Sequence, residues 1–139
     1  MTVPLEYVHA SRDFDRFMDD MLEISMLQTH HQAYAVVRAV LHVFRDHLSV
    51  EDALAFAEVL PAVLRAVFVE DWHPSASPQP FPDHATLVAE VRANRRDHNL
   101  ASEDSIADVA TALRRNVNVA DLERVLASLP PGAAEYWAV

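Results

Sequence analysis

The sequence repeats itself at an interval of 69 residues, and this interval constrains the fold more than any other feature. Residues of the first half have chemically similar counterparts in the second half, and the aligned pairs are Val40 and Val109, Phe44 and Leu113, Arg45 and Arg114, Leu48 and Val117, Asp52 and Asp121, Leu60-Pro61 and Leu129-Pro130, and Phe68 and Trp137. Two copies of such a unit account for nearly all of the 139 residues. The sequence therefore predicts an internally duplicated architecture.

Apolar residues recur at helical spacing in both copies. One such series is Phe14, Phe17, Met18, Met21 and Leu22. No run of alternating apolar and polar residues is bounded by turn dipeptides, so we expect no strands. The pattern predicts an all-α, eight-helix domain made of two four-helix repeats packed together. Pro61 and Pro130 are each placed to begin the fourth helix of a repeat.

Residues typical of helix N-caps indicate where several helices begin. In the first copy they are Ser11, Thr29 with Gln32 as a capping box, and Ser49. Asn118 of the second copy corresponds to Ser49. The helices of the second copy are predicted at about 83–96, 102–116, 119–128 and 131–138.

The prolines divide the chain into two repeats and a connector. Four of the eight prolines lie in residues 72–82, where the helical period is lost. We therefore expect repeat one at about 11–71, an extended connector at 72–82, and repeat two at about 83–139. A repeat of this size would be only marginally stable alone, so we predict that residues 1–139 form a single domain.

Charge and composition disfavour several classes of partner. The chain carries 21 acidic and 11 basic residues, for a formal net charge of −10. A negative field opposes approach to phosphate backbones and anionic lipid, so we expect neither nucleic acid nor membrane as a partner. The chain has no cysteine, which excludes disulfides and thiolate metal ligands. A secretory leader pattern and a long apolar run are both absent from the sequence, which predicts a cytoplasmic location.

The sequence shows no signature of catalysis. Its one glycine is Gly132. Phosphate-binding loops, dinucleotide fingerprints and nucleophile elbows all depend on several glycines close together. We therefore predict no catalytic residues and no cofactor, and we expect a binding protein rather than an enzyme.

Histidines and carboxylates suggest an alternative. His42 and Asp46 are four residues apart and share a helix face, and His73 lies in the connector. These residues indicate a small-molecule or metal-binding site between the two repeats, which an enzyme could also use. One helix cannot supply a complete three-ligand site, so further ligands would have to come from elsewhere.

Two sets of residues are candidates for protein interaction. In the connector, Trp72 either anchors the loop across the junction of the repeats or presents a recognition strip together with Phe81 and the intervening prolines. His73 is a further possible binding residue there. In the second copy, the arginines are Arg92, Arg95, Arg96, Arg114, Arg115 and Arg124. Residues 1–71 hold twelve acids and five arginines, a net −7, so we expect this arginine group to meet the acidic first copy of a neighbouring chain.

Several short motifs carry a family resemblance. They are Arg38-Ala39-Val40-Leu41-His42, Arg45-Asp46, Leu60-Pro61 followed by Arg65, and Trp72 with Pro74. With these motifs the sequence resembles the bacterial domain-of-unknown-function family 2267. The resemblance implies an all-helical, duplicated fold and no assigned activity. We therefore predict an uncharacterised bacterial helical module that binds a protein partner or itself.

The sequence departs from the pattern of that family in four places. His47 replaces the usual Arg, Asp52 the usual Glu, and Glu58-Val59 the common Ala-Gln. Asp71 replaces the Gly that precedes the tryptophan. Asp tolerates a left-handed backbone better than most residues, so we expect the turn at position 71 to be kept.

Overall fold

The computed structural model describes residues 2–94 and 102–139, and these ranges contain helices and no strands. The predicted all-α class is confirmed. The described helices are α1 (Leu5–Val8), α2 (Ala10–Ile24), α3 (His30–Asp46), α4 (Val50–Ala57), α5 (Ala62–Val69), α6 (His84–Ala93), α7 (Ser105–Arg115), α8 (Val119–Ser128) and α9 (Ala133–Tyr136). The prediction of eight helices missed α1, and the predicted end of the helix at 83–96 lies outside the described residues.

Side-chain caps begin three of the helices as predicted. Thr29 and Gln32 form a complete capping box at the start of α3. Ser49 accepts a hydrogen bond from the Asp52 backbone at 3.1 Å. Asn118, 69 residues after Ser49, accepts one from the Asp121 backbone at 3.0 Å. Each cap pairs a backbone N–H group that the helix itself leaves without a partner.

One other predicted cap is wrong. Ser11 lies inside α2, because α1 leads into it and His9 takes the N-cap position. The helix predicted at about 102–116 begins at Ser105, with Asp104 as its N-cap, and ends at Arg115. Ser102 accepts a hydrogen bond from the Asp104 backbone at 3.1 Å, just before this helix.

The two prolines were predicted in the first turn of a helix, but each lies before the helix begins. Pro61 is the N-cap of α5, while Gly132 rather than Pro130 caps α9. Gly132 has a φ of 98°, a left-handed conformation that glycine adopts readily.

Helices from the two halves pack against each other reciprocally. The first long helix, α2, packs against α7, while α6 packs against α3. At the 69-residue offset α2 corresponds to α6, and α3 corresponds to α7. The contact of α2 with α7 is therefore equivalent to the contact of α6 with α3. Helices α4 and α8 correspond in the same way and contact each other. The duplication remains a prediction from the sequence, and this exchange is what a pseudo-two-fold arrangement would produce.

An aromatic cluster joins the halves at the centre of the molecule. The Phe44 ring lies 4.7 Å from that of Phe56, 5.0 Å from Tyr136 and 5.3 Å from Trp137, measured between ring centroids. The Tyr136 hydroxyl donates to the Val40 carbonyl at 2.7 Å, so this buried polar atom has a partner. The buried apolar side chains of both halves belong to one continuous core cluster.

Candidate functional site

Four polar residues on α3 follow one another along one face of the helix. They are Tyr34, Arg38, His42 and Arg45, at spacings of four, four and three residues. All four contact the last turn of α5 or the two residues that follow it. We call these four residues the α5 clasp.

His42 lies in the buried part of the clasp. Its Nε2 donates to the carbonyl oxygen of Val67 at 2.8 Å, and the residue is only 3% exposed. Burial lowers the pKa of His42 to about 4, helped by the charges of Arg45 and Arg38. His42 is therefore neutral near pH 7.

His42 and Asp46 share a face of α3 but do not bond to each other. His42 bonds instead to the main chain of α5, while the Asp46 carboxylate is more than half exposed and lies 3.7 Å from Arg45 Nε. The shared helix face follows from the spacing of four residues. The hydrogen bond does not, because its acceptor is 25 residues away in the sequence.

Arg45 closes the end of α5. Its guanidinium donates to the carbonyl oxygens of Phe68 and Glu70 at 2.9 and 2.6 Å. The last carbonyls of a helix have no partner within the helix, and arginine is well suited to pair with them. The side chain is buried, so these bonds replace water that would otherwise solvate both groups.

The other two clasp residues hold the turn that follows α5. Arg38 pairs with the carboxylates of Glu70 and Asp71 at 3.6 and 3.2 Å, and the Tyr34 hydroxyl donates to Glu70 at 3.2 Å. Asp71 has a φ of 54°. The expectation that Asp replaces Gly here in a left-handed turn is confirmed.

The connector residues occupy three different environments. Trp72 is half-buried against the core, and Phe81 packs on Phe44, with 5.4 Å between the ring centroids. His73 is exposed. Trp72 and Phe81 therefore both contact the core, and the anchoring role of Trp72 stays a prediction.

Two second-copy arginines, Arg114 and Arg115, are paired within the chain. Arg114 Nε donates to the Trp137 carbonyl at 2.9 Å, and its guanidinium also pairs with Glu123. Arg115 lies 3.5 Å from Asp20 and 3.4 Å from Glu23. Arg115 therefore meets the acidic half of its own chain, and the contact of this arginine group with a neighbouring chain stays a prediction. Arg95 and Arg96 lie outside the described residues.

Arg114 repeats the role of Arg45. The two residues are 69 positions apart, and the carbonyl acceptors Phe68 and Trp137 are separated by the same interval. The sequence alignment paired these residues but did not show that a side chain of one helix would reach the main chain of another.

The alternative of a metal site has little support in residues 2–94 and 102–139. Within those ranges no group of three or more His, Asp or Glu side chains is arranged to hold a metal ion. A groove of about 430 Å³ does lie between the halves. Its charged lining residues are Glu6, Asp13, Arg16, Glu58, Arg115 and Asp121. The histidines that suggested the alternative, His42 and His73, are not among them.

Sequence reasoning missed a contact made by His47, at the C-terminal end of α3. Its ring approaches the main chain at Gln79 and the carboxylate of Glu90 on α6. The one available signal was that His47 replaces an arginine of the family pattern. That signal does not identify either partner.

None of the helices in the described part of the chain combines the length and apolar character needed to cross a bilayer. The fold and the clasp define an all-helical protein in which polar side chains of one long helix hold the end of another. The chain belongs to the family described as an uncharacterized conserved protein (DUF2267), whose model matches residues 14–136. The resemblance is thereby confirmed, and the match reaches into the second copy. Among curated proteins, no match to the chain is found.

Proposed function

We propose that this chain is a non-catalytic helical module that binds another protein, or a second copy of itself, through the apolar side of α1. The observation that carries the proposal is the orientation of this short helix. Its polar residues contact the protein while staying about half exposed: Glu6 pairs with Arg65 on α5 at 3.5 Å, and the Tyr7 hydroxyl accepts from Arg65 at 3.4 Å. Its apolar residues Leu5 and Val8 are 71% and 59% exposed.

This orientation is the reverse of the usual one for a surface helix. An amphipathic helix normally turns its apolar stripe to the core and its polar stripe to water. Leu5 and Val8 are three residues apart and therefore lie on one face, and the neighbouring Val3 is exposed as well. Clustered exposed apolar residues commonly mark an interaction surface.

The polar groups of the α5 clasp support a binding role over a catalytic one. His42 and Arg45 donate to main-chain carbonyls, and Arg38 pairs with two carboxylates. A general base needs a free lone pair beside a substrate proton, and the His42 ring is only 3% exposed, so a substrate does not reach it. We therefore assign the clasp to the fold and α1 to function.

The test replaces the apolar side chains of α1 with carboxylates. In the double variant Leu5→Asp, Val8→Asp, light scattering over a range of concentrations should show loss of any self-association. A pull-down from the native host should likewise lose any specifically retained protein. The thermal midpoint should be almost unchanged, because α1 contains no buried residue among those described.

The matched control is the double variant Val50→Asp, Leu54→Asp on α4. These residues lie one turn apart and are 44% and 56% exposed, so the control introduces the same charge at a comparable apolar site. The proposal predicts that association survives in the control. A wild-type chain that is monomeric at every concentration and retains no partner, or equal loss in both variants, would count against it.

A further inference from the structure

His47 connects three separate parts of the molecule. It is the C-cap of α3, and its ring is buried. Nδ1 lies 2.9 Å from the carbonyl oxygen of Gln79 in the connector. Nε2 lies 2.9 Å from Oε1 of Glu90 on α6. We call the second contact the His47–Glu90 bridge.

These two contacts determine how many protons the ring and its partners hold. A carbonyl oxygen only accepts hydrogen bonds, so Nδ1 must donate to Gln79. A proton is then also needed between Nε2 and Oε1, because two lone pairs facing each other at this distance would repel. Whichever of the two atoms carries it, the bridge holds one proton more than a neutral histidine and a carboxylate would together.

The groups around the bridge favour this extra proton. Asp46 lies next to His47 on α3. Burial raises the pKa of Asp46, while the charges of Arg45 and His47 act in the opposite direction. From α9, the Tyr136 hydroxyl faces the same region. Burial raises its pKa well above the ordinary value, with Glu90 and Asp46 adding to the effect, so it is neutral. The connector contributes the uncharged Phe81 ring, 5.0 Å from His47 between centroids.

The opposite end of the molecule carries the same connection without a titrating group. Asn116 lies 69 residues after His47 and is the C-cap of α7. Its amide donates to Asp20 on α2 at 2.8 Å and to the Ala112 carbonyl at 2.8 Å. An amide keeps both of its protons at every physiological pH. In each half, the residue that caps the second long helix therefore contacts the first long helix of the other half: His47 contacts α6, and Asn116 contacts α2. Of these two contacts, only the one made by His47 depends on a proton.

We propose that the His47–Glu90 bridge is a proton-dependent latch that fixes the connector at Gln79 when protonated and releases it when the proton is lost. The remaining ring proton stays with the stronger acceptor, the Glu90 carboxylate. The hydrogen bond to the Gln79 carbonyl is then the one that breaks.

The first test follows the ring directly by NMR. With ¹⁵N-labelled histidine, both ring nitrogens of His47 should be protonated at the acidic end of a pH series, and one should lose its proton towards the alkaline end. The ¹³C shift of the Gln79 carbonyl should move with the same midpoint. A singly protonated ring at the acidic end, or a Gln79 shift that ignores the transition, would overturn the latch.

The second test uses two variants that remove the titration. His47→Arg keeps a permanent cation, while His47→Asn copies the amide of Asn116. Cleavage of the connector by a protease should rise several-fold with pH in the wild-type chain relative to the His47→Arg chain. The rate of connector cleavage in the His47→Asn chain, divided by the rate in the His47→Arg chain, should stay constant with pH. Equal pH dependence in all three chains would refute the proposal, and the NMR result decides alone if a variant does not fold.

Discussion

The Arg45 guanidinium lies over the Trp72 ring, with 5.7 Å between Cζ and the ring centroid. The same guanidinium donates to two carbonyls at the end of α5. Trp72 therefore covers a buried cation that is already part of the fold, and the cation–π attraction adds to the apolar contact. This arrangement ties the beginning of the connector to the first repeat.

Trp72→Ala should destabilise the protein by about 2 kcal/mol, less than the roughly 3–5 kcal/mol typical of a fully buried aromatic, because the ring is only half-buried. We expect one transition with a lower midpoint in thermal unfolding, since the core is continuous across both halves. With Trp137 replaced by phenylalanine, Trp72 emission should be blue-shifted relative to free tryptophan. A fully water-exposed emission maximum with an unchanged midpoint would instead assign Trp72 to a partner surface.

Replacing Arg45 should separate its role from that of its counterpart. One terminal nitrogen of Arg45, Nη1, donates to both the Phe68 and the Glu70 carbonyl. Arg45→Lys keeps the charge, but the lysine side chain ends one bond short of that position, so both hydrogen bonds are weakened or lost. We expect a loss of roughly 2 kcal/mol, the usual cost of leaving such groups unpaired. Arg114→Lys should cost less, because Arg114 donates to one carbonyl and its side chain is more exposed. Urea unfolding of both variants measures the difference, and equal losses would argue against it.

His42 should make the protein less stable in acid. Its pKa is lowered from 6.5 to about 4, so below pH 6.5 the unfolded chain takes up a proton that the folded chain refuses. Stability is therefore unaffected above that range and falls as the pH drops from 6.5 towards 4. The loss amounts to roughly 3 kcal/mol at the acidic end, at about 1.4 kcal/mol per pKa unit.

Urea unfolding at a series of pH values measures this contribution. His42→Gln should be less stable than wild type at neutral pH and should lose less stability on acidification. His31→Gln is the control, because His31 is exposed on the same helix. If His31→Gln reduces the loss of stability in acid as much as His42→Gln does, that loss does not come from His42.

Gly132→Ala should be strongly destabilising. An added Cβ would lie 2.6 Å from Cβ of Phe81, and the backbone has a left-handed φ of 98°. The conformation alone costs about 1–2 kcal/mol for a residue with a side chain. The clash should raise the total above that figure. Ala134→Ser, two residues later and exposed, should have almost no effect on the thermal midpoint, and comparable losses in the two variants would contradict the explanation.

Features that depend on neighbouring residues could be predicted from the sequence. The caps at Thr29, Ser49 and Asn118 are local, since each side chain bonds to a backbone group three residues later. The cap predicted at Ser11 failed because α1 changes how α2 begins. A helix of four residues is too short to produce a periodic signal.

The site depends on contacts between distant residues, and these could not be read in advance. His42 bonds to Val67, which is 25 residues away in the sequence, and His47 contacts Glu90, which is 43 residues away. Spacing along a helix identifies which side chains share a face but not which chain segment packs against that face. The sequence likewise could not show that Arg115 pairs with α2 of its own chain, since its partners Asp20 and Glu23 are more than ninety residues away.

The reciprocal packing of α2 on α7 and of α6 on α3 has a consequence for assembly. Each of these contacts joins one half of the chain to the other half. In a dimer, the first half of one chain could therefore pack on the second half of its partner and make the same contacts without any new interface. Such domain swapping is limited only by whether the connector folds back or extends. The prolines of residues 72–82 and the fastening of the connector at Trp72 and Gln79 therefore help to decide whether the chain closes on itself.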